Sequence, residues 1–284
     1  MEKEYYGEGI FVGYRYFDTF HIAPAYPFGF GLSYTDFEIT VRGIEADGRE
    51  VKVNTEVKNT GSAAGKKVVQ VYVSAPQGGL AKEFRRLCGF GKTVLLQAGQ
   101  AQELVVTFPV KAMASFHSGN SAWVAEKGTY GIWVGNDLMS AKLEGLLEAE
   151  EDTILESVPA ICPLQEELQE LASPAEEMRE RELCWKKEAA EGGIQPVRFT
   201  PQPVALGKPF ESPASVMAEE LVQKLTEEEL VAMCIGEVTK GQGNVLGQQE
   251  LWCPAQREKP TVSWKRSMGF PVCLWLTVLP DSVL

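Results

Sequence analysis

The chain has 284 residues, 44% of them hydrophobic, and a formal net charge of −12. That is enough apolar side chain for a sizeable core in one or two domains. The acidity argues against nucleic acid and anionic membrane surfaces as partners, because both need a basic face. No run of about 18 apolar residues is present to span a bilayer, and the opening MEKEYYGEGI lacks the basic-then-apolar pattern of a secretion signal. The six cysteines (Cys88, Cys162, Cys184, Cys234, Cys253, Cys273) show no CxxC spacing and no neighbouring histidine. They predict reduced thiols, a cytoplasmic location, and neither a metal nor a cofactor.

Residues 1–33 are rich in rings and glycine, as in GYRYFDTF (Gly13–Phe20) and YPFGFGLSY (Tyr26–Tyr34), with one strand-like segment at Gly9–Tyr16. Residues 34–145 read as an all-β domain. Tyr34–Ile44 and Val51–Lys58 alternate apolar and polar positions, the period of a strand buried on one face. Further strands are predicted at Lys67–Ser74, Arg86–Leu96, Gln102–Phe108, Ala122–Ala125 and Thr129–Val134, separated by turn signals such as Asp47-Gly48 and Asn59-Thr60-Gly61. Short strands at this spacing, with no helical pattern between them, predict a mainly β fold, a sandwich of immunoglobulin or fibronectin type III shape. Trp123, Tyr130 and Trp133 are expected in its core and at its edge.

Residues 146–215 change character. Leu164, Leu168, Leu171 and Met178 recur at helical spacing among many charges, predicting a solvated helix over Leu164–Ala190, interrupted near Pro174 and stopped at Gly192-Gly193. The charge runs Glu148–Asp152 and Glu176–Glu182 read as solvated faces, and the proline-rich stretch after residue 195 reads as an extended linker. Residues 216–235 are helical again. There Thr226 and Glu229 form a capping box, and Leu221, Leu225, Leu230 and Met233 supply an apolar stripe. After Gly236 the pattern dissolves into a polar, glycine-rich loop.

Catalytic signatures are missing from this sequence: there is no G-x-S-x-G elbow, no phosphate-binding loop and no HExxH. His21 and His117 have no recognisable Ser or Cys partner and are expected on the surface or in loops. With 39 carboxylates some close pairs are inevitable, so pairing alone does not point to glycoside chemistry.

The segment YYGEGIFVGYRYFDT followed by AYPFGFGLSYTDF (residues 5–37) resembles the junction in glycoside hydrolase family 3 enzymes, the β-glucosidases and their relatives. In that family an α/β-sandwich domain ends there and a fibronectin type III-like domain begins. VKNTGSAAGKKVVQVYVSAP (Val57–Pro76), LCGFGKTVLLQAGQAQELVVTF (Leu87–Phe108) and WVAEKGTYGIWVGND (Trp123–Asp137) are similar to that domain's strands, the last of them to its final two. LVQKLTEEELVAMCIG (Leu221–Gly236) resembles the helix that opens the family's barrel domain, which implies the inverted order of α/β sandwich, fibronectin-like domain and barrel.

The resemblance therefore divides the chain into four parts. Residues 1–33 are the end of an α/β-sandwich domain, 34–145 the fibronectin type III-like domain, 146–215 a helical and proline-rich linker, and 216–284 the truncated start of a (β/α)8-type catalytic domain. Tyr14, Tyr16, Phe28, Gly29, Phe30, Gly31 and Tyr34 are expected at a domain junction. Phe28, Phe30 and Tyr34 would wedge it, while Gly29 and Gly31 would let the backbone pass close or take positive φ.

Beyond Gly236 the sequence departs from the family. Where it would be expected to read VPGAAGET and ADGPAGLR, this chain has WCPAQREKP (Trp252–Pro260) and LWLTVLPDSVL (Leu274–Leu284). Codons can be chosen for both segments that yield VPGAAGET and VADGPAGLRL when read two nucleotides later, so a frameshift is expected. Asp281 is then not the sugar-binding aspartate of that motif, and no catalytic or substrate-binding residue carries over. The resemblance implies a fragment of an enzyme that would bind β-glucosides or oligosaccharides, itself without the nucleophile and acid/base segments. A free-standing module that binds carbohydrate or protein is the other reading.

Overall fold

In the computed structural model, residues 5–159, 168–204, 222–227 and 230 are described. The chain divides into two compact units, 1–206 and 207–284. In the second, the described residues include a helical turn in which Leu225 N–H donates to the Val222 carbonyl (3.2 Å) and Leu230 N–H to that of Thr226 (3.0 Å). The rest of that unit, with Glu229 of the expected capping box and the out-of-frame segments, lies outside the described residues.

The first unit is a β-sandwich. Strands β1 (Phe37–Ala46), β2 (Glu50–Asn59) and β5 (Ala101–Pro109) form one antiparallel sheet, in the order β1-β2-β5. β3 (Val68–Ser74), β4 (Arg86–Lys92), β8 (Gly128–Gly135), β9 (Lys142–Ala149) and β11 (Pro196–Phe199) form the other, in the order β11-β9-β8-β3-β4. A third small sheet runs β10 (Thr153–Ser157), β7 (Ala122–Ala125) and β6 (Ser115–His117). The fold is mainly β, as the period-two patterning requires.

β2 shows why. Val51, Val53, Thr55, Val57 and Asn59 point inward and are buried, while Glu50, Lys52 and Lys58 face out. The two large sheets share one core, in which Val51, Val53 and Val57 meet Val69, Val71, Ile132 and Leu147, all at 0% exposure. Each such side chain contributes about 1.5–3 kcal/mol on burial. The Asn59-Thr60-Gly61 turn is more than a turn. Asn59 is fully buried, and its amide donates to the carbonyls of Ala63 (2.8 Å) and Leu96 (2.9 Å) while its oxygen accepts from the Thr35 hydroxyl (2.8 Å). A buried amide with its capacity used in this way staples three loops together.

Several expectations need correction. Gly9–Tyr16 is no strand: the chain turns through Gly9 and Gly13, both at positive φ, and continues as helix α1 (Tyr14–Thr19). Those left-handed positions break an extended run, and no neighbouring strand offers it a ladder. The sandwich does not stop at 145. β9 pairs antiparallel with β8, β10 follows it, and β11 adds a parallel edge strand from inside the presumed linker. Of the helix expected over Leu164–Ala190, residues 164–167 lie outside the described residues, 168–174 are not helical, and α2 (Ala175–Glu191) begins after Pro174 and is not solvated all round. Met178, Trp185 and Ala189 are buried against Phe84 and Leu146 on the outer face of the five-stranded sheet. Within the run Glu176–Glu182, Glu182 is buried and accepts from Gln77 N–H (3.1 Å).

Candidate functional site

The outer face of the five-stranded sheet is where the chain departs from a plain sandwich. A half-buried strand alternates, but β3 is buried on both sides from Val69 to Ser74. Val69, Val71 and Val73 enter the core; Gln70, Tyr72 and Ser74 face outward and are covered by the N-terminal segment and its neighbours. Burial pushes the Tyr72 hydroxyl far above its ordinary pKa, so it stays protonated and donates to the Gln70 side chain.

Tyr14 begins this covering layer. Its ring stacks on Phe28 (centroids 4.5 Å apart) and meets Tyr72 edge-on (6.3 Å), and its hydroxyl accepts from Leu87 N–H (2.9 Å). Leu138 N–H donates to the Phe28 carbonyl (3.0 Å). Gly29 follows at φ +84°, where a Cβ would collide with the Gln70 amide; only glycine fits both the angle and the space. Tyr14, Phe28 and Leu138, with Phe17, Ile22, Tyr26 and Met139, line an open cleft of about 540 Å³ whose walls are largely apolar.

A layer of buried charge underlies the cleft. Arg85 holds the Asp18 carboxylate in a bidentate pair (3.0 and 2.7 Å) and donates to the Leu138 carbonyl (3.0 Å). Arg181 of α2 donates to the Asp18 carbonyl (2.9 Å), and its guanidinium lies 3.2 Å from the centroid of the Phe84 ring. Burial pulls the Arg181 guanidinium down to about 10, against the pull of Asp18, so it is still charged at neutral pH. Glu83 is buried beside Arg86. Burial pushes its carboxyl up, but the hydrogen bond and charge of Arg86 outweigh that and hold it below the ordinary value. Lys82, 2% exposed, pairs with Glu126. The half-buried Cys88 thiol is pushed up to about 12, chiefly by burial, which leaves it protonated and unreactive.

The expected junction residues separate into two groups. Tyr14 and Phe28 come together at the cleft, with Gly29 next to Phe28 and packed on Gln70. Tyr16 turns instead to Phe20 (4.9 Å), while Phe30 stays beside the cleft by pairing with Tyr26 of its lining (5.1 Å). Gly31 has neither positive φ nor a close neighbour, so neither reason given for a glycine there applies. Tyr34 is completely exposed and outside the cluster. Sequence reading missed Asp18, Phe84, Arg85 and Arg181. The signal was there in KEFRR (Lys82–Arg86), a charged run entering a strand, where solvated charge is the default expectation.

His21 is exposed in a loop; His117 accepts from Asn120 N–H (3.2 Å) through Nδ1. Among the described residues no three His, Cys, Asp or Glu side chains are grouped to hold a metal ion. No described helix is long and apolar enough to cross a membrane. The geometry offers an aromatic surface and a set of satisfied charges, an arrangement suited to docking.

Comparison with known proteins agrees with the fold. Residues 67–138 match the fibronectin type III-like domain family. A β-glucosidase of Ruminococcus albus is 48% identical over 147 residues, which is 50% of this chain and 15% of that protein. The solved β-glucosidase of Paenibacillus barengoltzii shares 39% identity with a TM-score of 0.53, covering 56% of this chain and 19% of that one. The β-glucosidase of Kluyveromyces marxianus, solved with glucose, shares 33% at a TM-score of 0.51, covering 54% and 18%. The chain thus carries the fibronectin type III-like domain of glycoside hydrolase family 3, on a stretch that spans 15–19% of the β-glucosidases compared.

Proposed function

We propose that this sandwich is a non-catalytic docking domain, and that the aromatic cleft beside α1 is the face on which the catalytic parts of a family 3 glycoside hydrolase pack. One observation carries the reading. Val12, Tyr26, Phe28, Phe30 and Met139 are each more than 40% exposed on or beside one cleft, in a domain whose relatives are several times longer than the matched stretch. An apolar surface of this kind marks an interaction site. The residues expected at the junction, Tyr14, Phe28 and Gly29 foremost, would then set the shape of that face, while the flanking parts would supply the chemistry. The described thiols, Cys88 and Cys184, are free, which supports a reducing, cytoplasmic setting.

The purified chain should leave a nitrophenyl β-glucoside intact, and it should bind a hydrophobic dye that Phe28→Ser and Met139→Ser release. Hydrolysis at a rate above background, with loss on heat inactivation, would overturn the non-catalytic reading. Binding to soluble glucan without turnover would favour a carbohydrate-binding module instead.

A further inference from the structure

The charge layer under the cleft joins two segments that lie far apart in sequence, and we infer that Asp18 is the latch of a clasp that holds the N-terminal segment and helix α2 down together. One strap is residues 11–28, fixed by the Tyr14 hydroxyl to Leu87 and by Phe84 N–H donating to the Thr19 hydroxyl (3.0 Å). The other strap is α2, whose buried stripe (Met178, Trp185, Ala189) covers only part of 17 residues. Arg181 bridges the two: its Nη1 donates to the carbonyls of Asp18 (2.9 Å) and Thr19 (3.4 Å), and its Nη2 lies 3.9 Å from the Asp18 carboxylate. Arg85 grips the same carboxylate from the sandwich. The three charged side chains are 8–15% exposed, so each depends on the others for what water would otherwise give.

Neutralising Asp18 removes the anion between two arginines that share the Phe84 ring, Arg85 at 5.4 Å and Arg181 at 3.2 Å. Two partly desolvated like charges then face one another. Arg85 is tied to the sandwich through the Leu138 carbonyl, whereas Arg181 keeps only its bonds to the Asp18 and Thr19 carbonyls, on the strap itself, so Arg181 is the one that yields. Leaving draws α2 off the sheet, because Met178 and Glu182 flank Arg181 on the same buried side. The exposed His21–Glu177 pair (3.2 Å) also ties the straps but lies outside this buried layer, and Leu171 N–H to the Gly7 carbonyl joins residues that flank the straps. The clasp is therefore cooperative: loosening either strap loosens the other.

Hydrogen–deuterium exchange on the full 284-residue chain, read by mass spectrometry, tests this. Asp18→Asn should raise exchange across Ala175–Glu191 about tenfold while β2 and β5 hold. Because coupling is reciprocal, Arg181→Met should raise exchange over residues 14–22 by a similar factor. In the double variant the effect of Asp18→Asn on α2 should largely vanish. Exchange of α2 within twofold of wild type in Asp18→Asn, or an undiminished effect in the Arg181→Met background, would overturn the inference. If Asp18→Asn also unprotects β2 and β5, the Arg181→Met variant decides alone: about a tenfold rise over residues 14–22 supports the clasp, and a change within twofold refutes it.

Discussion

Replacing Trp185 by alanine separates a docked α2 from a solvated one. The ring is 3% exposed and packs with Phe84, Leu146, Met178 and Ala189. It lies over β8 so closely that a Cβ on Gly131 would be 3.5 Å from it. A buried tryptophan removes about 150–250 Å² from water, worth about 4–6 kcal/mol at 25 cal/mol/Å², and truncation of such residues costs about 3–5 kcal/mol. Taking about 4 kcal/mol, and about 2–4 °C per kcal/mol for a unit of this size, the melting temperature should fall by about 8–16 °C. The loss is capped at the free energy that docks α2, since beyond it the helix peels off and the sandwich melts without it. Leu183→Ala is the control: on the same helix but 69% exposed, it should cost less than about 0.5 kcal/mol. Differential scanning calorimetry of both variants makes the comparison. If Trp185→Ala melts within a degree or two of Leu183→Ala, the helix is not held by this face and the packing argument fails.

Glu83 should make stability fall with acid. Its folded carboxyl is held below the ordinary 4.5, so the folded state binds the proton more weakly than the unfolded one. The stabilisation is present above that ordinary value and lost as pH drops through the folded one. Urea midpoints from pH 6 to about pH 3 should thus decline more steeply for wild type than for Glu83→Gln; equal slopes would mean that Glu83 is not paired in solution. Gly29→Ala should cost about 2 kcal/mol, part from the left-handed backbone and part from displacing the Gln70 amide that holds the Asn136 carbonyl (2.9 Å). An unchanged urea midpoint would rule out that geometry. Sequencing the coding DNA should show, for Trp252–Pro260 and Leu274–Leu284, codons that yield VPGAAGET and ADGPAGLR in the shifted frame. Codons unable to do so in any frame would dispose of the frameshift.

The strands that the sequence made legible are those with one wet face. β2 and β5 alternate because one side meets water, and β7 was placed at its observed bounds, Ala122–Ala125. Legibility fails where a third layer is added. β9 reads KLEGLLEA, a leucine- and glutamate-rich run that looks helical, and it is a strand because β8 on one side and β11 on the other offer it ladders. Helix α2 looks solvated because its buried stripe is short and Arg181 and Glu182 belong to it, charges whose inward direction depends on partners about 100–160 residues away. The candidate site divides in the same way. Rings and glycine announced Tyr14, Phe28 and Gly29, whereas Asp18 and Arg85 became recognisable only as a pair in space.

That pairing also bears on what the domain can do. Retaining glycoside hydrolysis needs one carboxyl raised to act as acid and a second left ionised about 5–5.5 Å away to attack. The buried carboxylates of this face are instead paired with cations. Asp18 is locked by Arg85, Glu126 by Lys82, and Glu182 by Lys186 and the Gln77 amide, while Glu83 is lowered by Arg86. A carboxylate bound to a cation inside the protein is a poor acid and a screened nucleophile. The same charges that would be wasted on chemistry are well placed for architecture, because ion pairs with buried partners fix direction as well as proximity. Phe84 is enclosed by two of them, Arg85 and Arg181, and its own N–H donates to the Thr19 hydroxyl. The outer face thus gains a rigid floor under an apolar cleft, the property that the proposed docking role needs.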